Sequence, residues 1–253
     1  GQIRGSFRHA AAHNVYQVTA PIALVLQEII DEAQQTDYAT VPFPMAPENL
    51  NRREVLPPAA GFADMVHVYR RLNEWWQPDS LVLSDVCLAY KDYQYVTQRP
   101  NNEITYFSFY RGSAMGSAYG AAVGAKLGAP AKRVYMFSGD GCFKLYSGSL
   151  EEARHLGIVL FLLDNQTYSV VAQGLAQVLP NAKANHYHDQ LNALDYCSIA
   201  EASGWLSYSL EEDLSNFEQI LAAIEETPHR SILVRIPVDP NQIIGLNPRV
   251  QKV

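Results

Sequence analysis

Two hydrophobic rhythms alternate along the chain. Residues 80–84, 133–137, 158–163 and 231–236 form short, nearly continuous apolar runs. Between them, over 61–76, 113–127, 149–155, 195–203 and 211–226, apolar positions recur at helical spacing. Unbroken apolar strands fit a parallel sheet covered by helices on both faces, whereas a half-solvated sheet would alternate. The pattern therefore predicts an α/β fold over residues 59–240, a doubly wound and mainly parallel sheet with helices on both faces.

In open sheets of this kind, ligands bind beyond the carboxyl ends of the strands. Three strand ends are small, polar or acidic: Ser84-Asp85-Val86-Cys87, Ser138-Gly139-Asp140-Gly141 and Asp164-Asn165-Gln166. Ahead of the sheet, residues 20–33 predict a helix with Ile22, Val25, Leu26, Ile29 and Ile30 on one face. The five prolines Pro42, Pro44, Pro47, Pro57 and Pro58 mark residues 40–58 as a linker crossing a surface. One helix cannot enclose a core, so residues 1–58 read as the end of a domain plus a Pro-rich linker. Gly1 in first place points to a processed product or a fragment. Residues 241–253 read as a C-terminal arm.

Composition narrows the field. A chain of 253 residues that is 48% hydrophobic and 18% charged is globular rather than fibrous or disordered. Its longest apolar stretch, 158–163, is far short of the roughly 20 residues of a membrane span. The N-terminus lacks the basic-then-apolar layout of a signal peptide. A formal charge of −7 without a basic run argues against nucleic acid as a partner. The three cysteines, Cys87, Cys142 and Cys197, fit neither a disulfide framework nor a zinc site and suit a reducing, cytoplasmic setting.

Gly139-Asp140-Gly141 carries the first chemistry. Two glycines at a strand end permit a tight turn whose N–H groups suit a phosphate. An aspartate there repels a phosphate unless a divalent cation lies between them. On the tripeptide alone an ordinary turn, with Asp capping the next helix, remains open. A dinucleotide fingerprint is excluded because Lys144 stands where the third glycine would be. Asn165 lies 25 positions beyond Asp140, after one helix and one strand. That connection makes the strands parallel neighbours and carries the amide oxygen toward the same ion. Magnesium favours such an octahedral oxygen set, completed by a backbone carbonyl, phosphate oxygens and water.

In this order the elements resemble the signature of thiamine-diphosphate-dependent enzymes of the acetolactate synthase and 2-oxo acid decarboxylase family. The family motif has Asn-Asn where this chain has Asp164-Asn165, and the ligand position is kept. Residues 113–125 (SAMGSAYGAAVGA), 165–170 (NQTYSV) and 195–204 (DYCSIAEASG) are similar to further family segments. The resemblance spans residues 60–240 and implies the diphosphate-binding, C-terminal half of such an enzyme, with thiamine diphosphate and Mg2+ as cofactors. It implies that Asp140, Asn165 and the Thr167 carbonyl hold the metal. Gly139, Gly141, Cys142, Cys87 and Leu88 would surround the diphosphate. Met115 would wedge the two cofactor rings into a bent shape, and the Ser113 carbonyl would accept from the aminopyrimidine. Tyr168 and Ser169 would line the cofactor at the next helix start.

The resemblance also implies what is missing. Family members activate the cofactor with a Glu on a separate pyrimidine-binding domain, which nothing here resembles. The catalytic Glu is expected on a pyrimidine-binding subunit or a cleaved N-terminal half, within a homo- or hetero-oligomer such as a tetramer or a dimer of heterodimers. The implied function is a lyase or transferase that decarboxylates a small 2-oxo acid and protonates or ligates the resulting enamine. A non-catalytic assembly or regulatory subunit that keeps the fold is the alternative. Where simple decarboxylases often carry a Glu after the Tyr-x-x run, this chain has Val171, which disfavours protonation and leaves carboligation open. Gly112, Gly116, Gly120, Gly124 and Gly128 recur every fourth residue and predict a close helix contact, within the domain or between subunits. His186 and His188 read as surface or interface residues.

Overall fold

The computed structural model describes residues 20–36, 54–98, 101, 103–178 and 189–246. The chain divides into two compact units, residues 1–48 and 49–253. In the first unit, α1 spans Ile22–Gln35, and its apolar residues Ile22, Leu26, Ile29 and Ile30 are exposed.

The second unit is built on six parallel strands in the order β2-β1-β3-β4-β6-β5. They are β1 (Leu81–Ser84), β2 (Thr105–Ser108), β3 (Val134–Gly139), β4 (Ile158–Asp164), β5 (Leu206–Ser209) and β6 (Ile232–Pro237). The helices are α2 (Met65–Trp75), α3 (Ala89–Thr97), α4 (Ser117–Gly128), α5 (Asp140–Tyr146), α6 (Ser169–Val178), α7 (Tyr196–Ala202) and α8 (Phe217–Glu226). The predicted doubly wound parallel sheet is the observed one.

Alternate residues of the central strands feed two cores. Tyr135 and Phe137 of β3 face one side, with α2, α3 and α8, while Val134 and Met136 face α4, α5 and α7. On the first side Trp76 is 2% exposed and packs against the rings of Tyr135, Phe137 and Phe161. Each such aromatic pair contributes about 0.5–1.5 kcal/mol beyond the area it buries. β4 is buried at all seven positions, as its unbroken apolar run requires.

Element boundaries depart from the sequence reading where backbone conformation intervenes. The helix expected over 61–76 begins at Met65, because Gly61 takes φ +90° and the Asp64 side chain caps the backbone N–H groups of Val66 and His67. The helix expected over 113–127 begins at Ser117, because Ser113 (φ 51°) and Gly116 (φ 85°) lie in the left-handed region and form a turn. Residues 147–153 form a 3-10 helix.

The first and last described stretches of this unit tie into it. The Asp239 carboxylate accepts from Ala59 N at 2.9 Å, and Gln173 Nε2 donates to the carbonyls of Pro240 and Gln242. Lys91 and Asp92 form a buried ion pair at 2.6 Å, with side chains 2% and 3% exposed. Gly245 completes it, its carbonyl accepting from Lys91 Nζ at 2.9 Å and its N–H donating to Asp92 at 2.7 Å. Of the expected arm 241–253, Ile244 is buried in the core, and 247–253 lie outside the described residues. His186 and His188 and most of the Pro-rich stretch also lie outside them.

Candidate functional site

From β1 the chain passes outward to β2, and then returns to the opposite side of β1 as β3. The carboxyl ends of β1 and β3 therefore flank a topological switch point, where open α/β sheets leave a crevice. A cleft opens there, enclosing about 440 Å³ of atom-free space that is partly open to solvent. Of the residues expected at the site, Cys87, Leu88, Met115, Gly139, Asp140, Gly141, Cys142, Asn165, Thr167, Tyr168 and Ser169 line it. Ser113 does not; its turn carries it away from the lining, which Met115 alone reaches from that segment.

The acidic centre is built by short-range geometry. Register pairs Gly139 with Leu163, so Asp140 and Asn165 leave neighbouring strands at the same end of the sheet. Asp140 Oδ1 accepts from Gly141 N at 2.8 Å, and its Oδ2 accepts from Gln166 N at 2.7 Å. Asn165 Oδ1 accepts from Thr167 N at 3.1 Å. Gln166 itself stands in the left-handed region at φ 54°. The 189–191 segment braces the loop, with Tyr168 N and Thr167 Oγ1 donating to the Asp189 carbonyl. Burial pushes the Asp140 carboxyl up from its ordinary 3.8 to about 6, despite the two N–H donors. A carboxylate that dislikes its desolvated site in this way is one a cation would relieve.

The residues fit a magnesium-bridged diphosphate. Each oxygen of Asp140 and Asn165 keeps a second lone pair after these backbone bonds. Ser169 Oγ, in a residue 3% exposed that lines the cleft, has no hydrogen-bond partner among the described residues. A Cβ on Gly141 would lie 2.5 Å from Tyr168 Cε1, and one on Gly139 would lie 3.3 Å from Cys87 Cβ, so the cleft floor is closed to larger residues. Among the described residues no three His, Cys, Asp or Glu side chains cluster as a metal site. An ion here would draw on one carboxylate, one amide and carbonyl oxygens, a hard-cation set. Two expected donors are turned inward: Gly141 N to Asp140 and Cys87 N to the Asp85 carbonyl at 2.9 Å. The thiols are not nucleophiles in waiting. Burial raises the Cys87 thiol to about 12 and pushes Cys142 up further still.

Two acidic residues at these strand ends were given no role by the sequence reading. Asp164, which replaces the family's first Asn, is 5% exposed; its Oδ2 accepts from Arg235 Nε at 2.7 Å, and its Oδ1 has no partner among the described residues. Asp85 is fully buried beneath the cleft, and its carboxylate accepts from Gly116 N, Val86 N and Ser138 Oγ. Its position at a polar strand end was the available signal, but partners 31 and 53 residues away were not legible.

A model of the C-terminal TPP-binding domain of thiamine pyrophosphate enzymes matches residues 87–236, more than half of the chain. The chain belongs to the thiamine pyrophosphate enzymes. Its TPP-binding domain is the C-terminal half of the enzymes in this family. Solved structures share the fold at low identity. The thiamine diphosphate-dependent 4-hydroxybenzoylformate decarboxylase of Rhodococcus jostii RHA1 aligns with TM-score 0.72 and 18% identity, over 91% of this chain and 42% of that one. Benzoylformate decarboxylase from Polynucleobacter necessarius aligns with TM-score 0.58 and 17% identity, over 70% and 33%. A Mycobacterium smegmatis protein grouped with the thiamin diphosphate-dependent enzymes aligns with TM-score 0.61 and 23% identity, over 81% and 37%. The chain thus covers less than half of each neighbour, 42%, 33% and 37% of their lengths. No curated protein sequence matches it. No described helix is long and apolar enough to cross a membrane.

Proposed function

We propose that this chain supplies the diphosphate- and magnesium-binding half of a thiamine-diphosphate-dependent enzyme acting on a small 2-oxo acid. The observation that carries the reading is the acidic centre. Asp140 and Asn165 leave adjacent parallel strands, are cross-braced through Gln166 and Thr167, and line one cleft at the switch point. Asp140, Asn165 and the Thr167 carbonyl would hold the metal, and the turns at Cys87–Leu88 and Gly139–Cys142 would enclose the diphosphate. When bound, thiamine diphosphate supplies a carbon nucleophile that adds to a carbonyl and accepts electrons as carbon dioxide leaves. Met115 would support its two rings, and Ser169 Oγ offers a polar contact from the cleft wall.

The cleft's remaining chemistry is sparse. Among the described lining residues Asp140 is the one carboxylate, and Val86, Val170 and Val171 add apolar surface. Val171, 53% exposed, stands there in place of an acid, and among the described lining residues none but Asp140 could deliver a proton, which supports ligation to an acceptor over simple protonation. The activating Glu belongs on a pyrimidine-binding partner chain in this reading, and two of the neighbours' names point to aryl 2-oxo acids as first substrates to try.

The test is a titration followed by reconstitution. The chain should bind thiamine diphosphate only with Mg2+, lose that binding in Asp140→Ala, and turn over benzoylformate or pyruvate only after a pyrimidine-binding chain is added. Magnesium-independent binding, or full turnover by the chain alone, refutes the corresponding half of the proposal.

A further inference from the structure

We propose that Asp85 is a positioning residue that fixes the Met115–Gly116 turn, and through it the height of Met115 in the cleft. The proposal rests on the thiamine diphosphate reading above. Asp85 is 0% exposed, and among the described residues no ion pair involves it. A buried carboxylate without a cation is costly unless its oxygens are well bonded. Here both oxygens accept from Gly116 N at 3.0 Å, while Oδ1 also takes Val86 N at 2.8 Å and Oδ2 takes Ser138 Oγ at 3.3 Å. These donors sit on three separate walls of the cleft: the end of β1, the end of β3 and the turn before α4.

The long-range bond to Gly116 is the informative one. Gly116 stands at φ 85° and Ser113 at φ 51°, so two left-handed residues bracket Met115 in a turn with little conformational support of its own. The Gly116 N–H belongs to the peptide group that follows Met115. Fixing that N–H sets the peptide plane, and hence the direction from which Met115 enters the cleft. Tyr146, stacked on Tyr119 at 4.6 Å, closes the other side, its ring 3.5 Å from where a Gly116 Cβ would be. A charged acceptor makes the stronger bond that such a turn requires.

The experiment uses the full chain and two probes with Mg2+: thiamine diphosphate, which has rings, and inorganic pyrophosphate, which does not. Asp85→Asn should weaken thiamine diphosphate binding about 10- to 100-fold, as loss of a charge-assisted bond predicts, and leave pyrophosphate within about 3-fold. In a Met115→Ala background the same change should have almost no further effect, because the two residues act as one unit. Equal losses for both probes, or losses that multiply in the double variant, overturn the proposal. If Asp85→Asn does not fold, Ser138→Ala removes one donor without stranding a charge. It should show the same ring-dependent loss at about 3-fold, and equal loss for both probes again overturns the proposal. A wild-type chain that binds pyrophosphate but not thiamine diphosphate overturns the thiamine reading itself, whereas a ring-independent Asp85 effect leaves that reading standing.

Discussion

Asp140→Asn separates the two demands placed on this carboxylate, because they carry opposite signs. In the metal-free chain Asp140 is 2% exposed, and burial raises its pKa from 3.8 to about 6. A raised carboxylate binds its proton more tightly folded than unfolded. Its contribution to stability is therefore complete below about pH 4 and is lost as the pH climbs through about 6. At 1.36 kcal/mol per unit, a shift of about two units withholds up to about 3 kcal/mol from the metal-free fold at neutral pH. Asparagine cannot ionise, but its NH2 would oppose one of the two N–H donors from Gly141 and Gln166, at a pH-independent cost of about 1–3 kcal/mol. The variant should be the less stable protein near pH 4 and recover against wild type by up to about 3 kcal/mol near pH 7.5. Adding Mg2+ and thiamine diphosphate at about 100 times Kd should stabilise wild type by about 2.7 kcal/mol and the variant hardly at all. Urea denaturation followed by the buried tryptophans, at several pH values with chelator or with ligand, gives both numbers. A difference between the two proteins that ignores pH, or equal stabilisation by ligand, would refute the reasoning.

Three further substitutions probe separate features. Gly157→Ala places a Cβ 2.1 Å from the Pro228 carbonyl oxygen at φ +70°, far from the cleft; it should cost about 3 kcal/mol and lower Tm by about 6–12 °C, and a shift under about 2 °C would contradict the geometry. Gly141→Ala forces Tyr168 aside and should weaken Mg2+–thiamine diphosphate binding about 10-fold while moving Tm less than Gly157→Ala does, as calorimetric titration and thermal melts would show. Arg235→Met strands the buried Asp164 carboxylate and should lose about 1–3 kcal/mol, which Asp164→Asn in the same chain restores; a double variant as unstable as the single one refutes the pairing.

The parts legible in the sequence were those whose cause is local. Residues 158–163 are apolar throughout because both faces of β4 are covered, and Gly139-Asp140-Gly141 with Asn165 announces its chemistry by residue type and spacing. The edge strands were missed. β2 alternates exposed and half-buried positions, and β5 has no fully buried one, so neither shows an unbroken apolar run. Of the regularly spaced glycines, Gly112 and Gly116 precede α4, and a Cβ on Gly120, Gly124 or Gly128 would meet nothing within 4 Å among the described residues, so no close contact within the domain is seen there. Asp85 was visible as part of a polar strand end, but its role was not, because its partners are backbone and hydroxyl groups whose proximity only the fold creates.

The Lys91–Asp92–Gly245 clasp has a consequence for the order of folding. Positions 91 and 245 are 154 residues apart, so an emerging polypeptide exposes α3 long before the peptide group that completes its charged pair has been synthesised. Until then the Lys91–Asp92 pair lacks the carbonyl and N–H that Gly245 supplies, and burying it early is penalised. Docking of α3 is thereby coupled to the arrival of Gly245, and because α3 starts just past Cys87–Leu88, one wall of the cleft is set only after that residue has emerged.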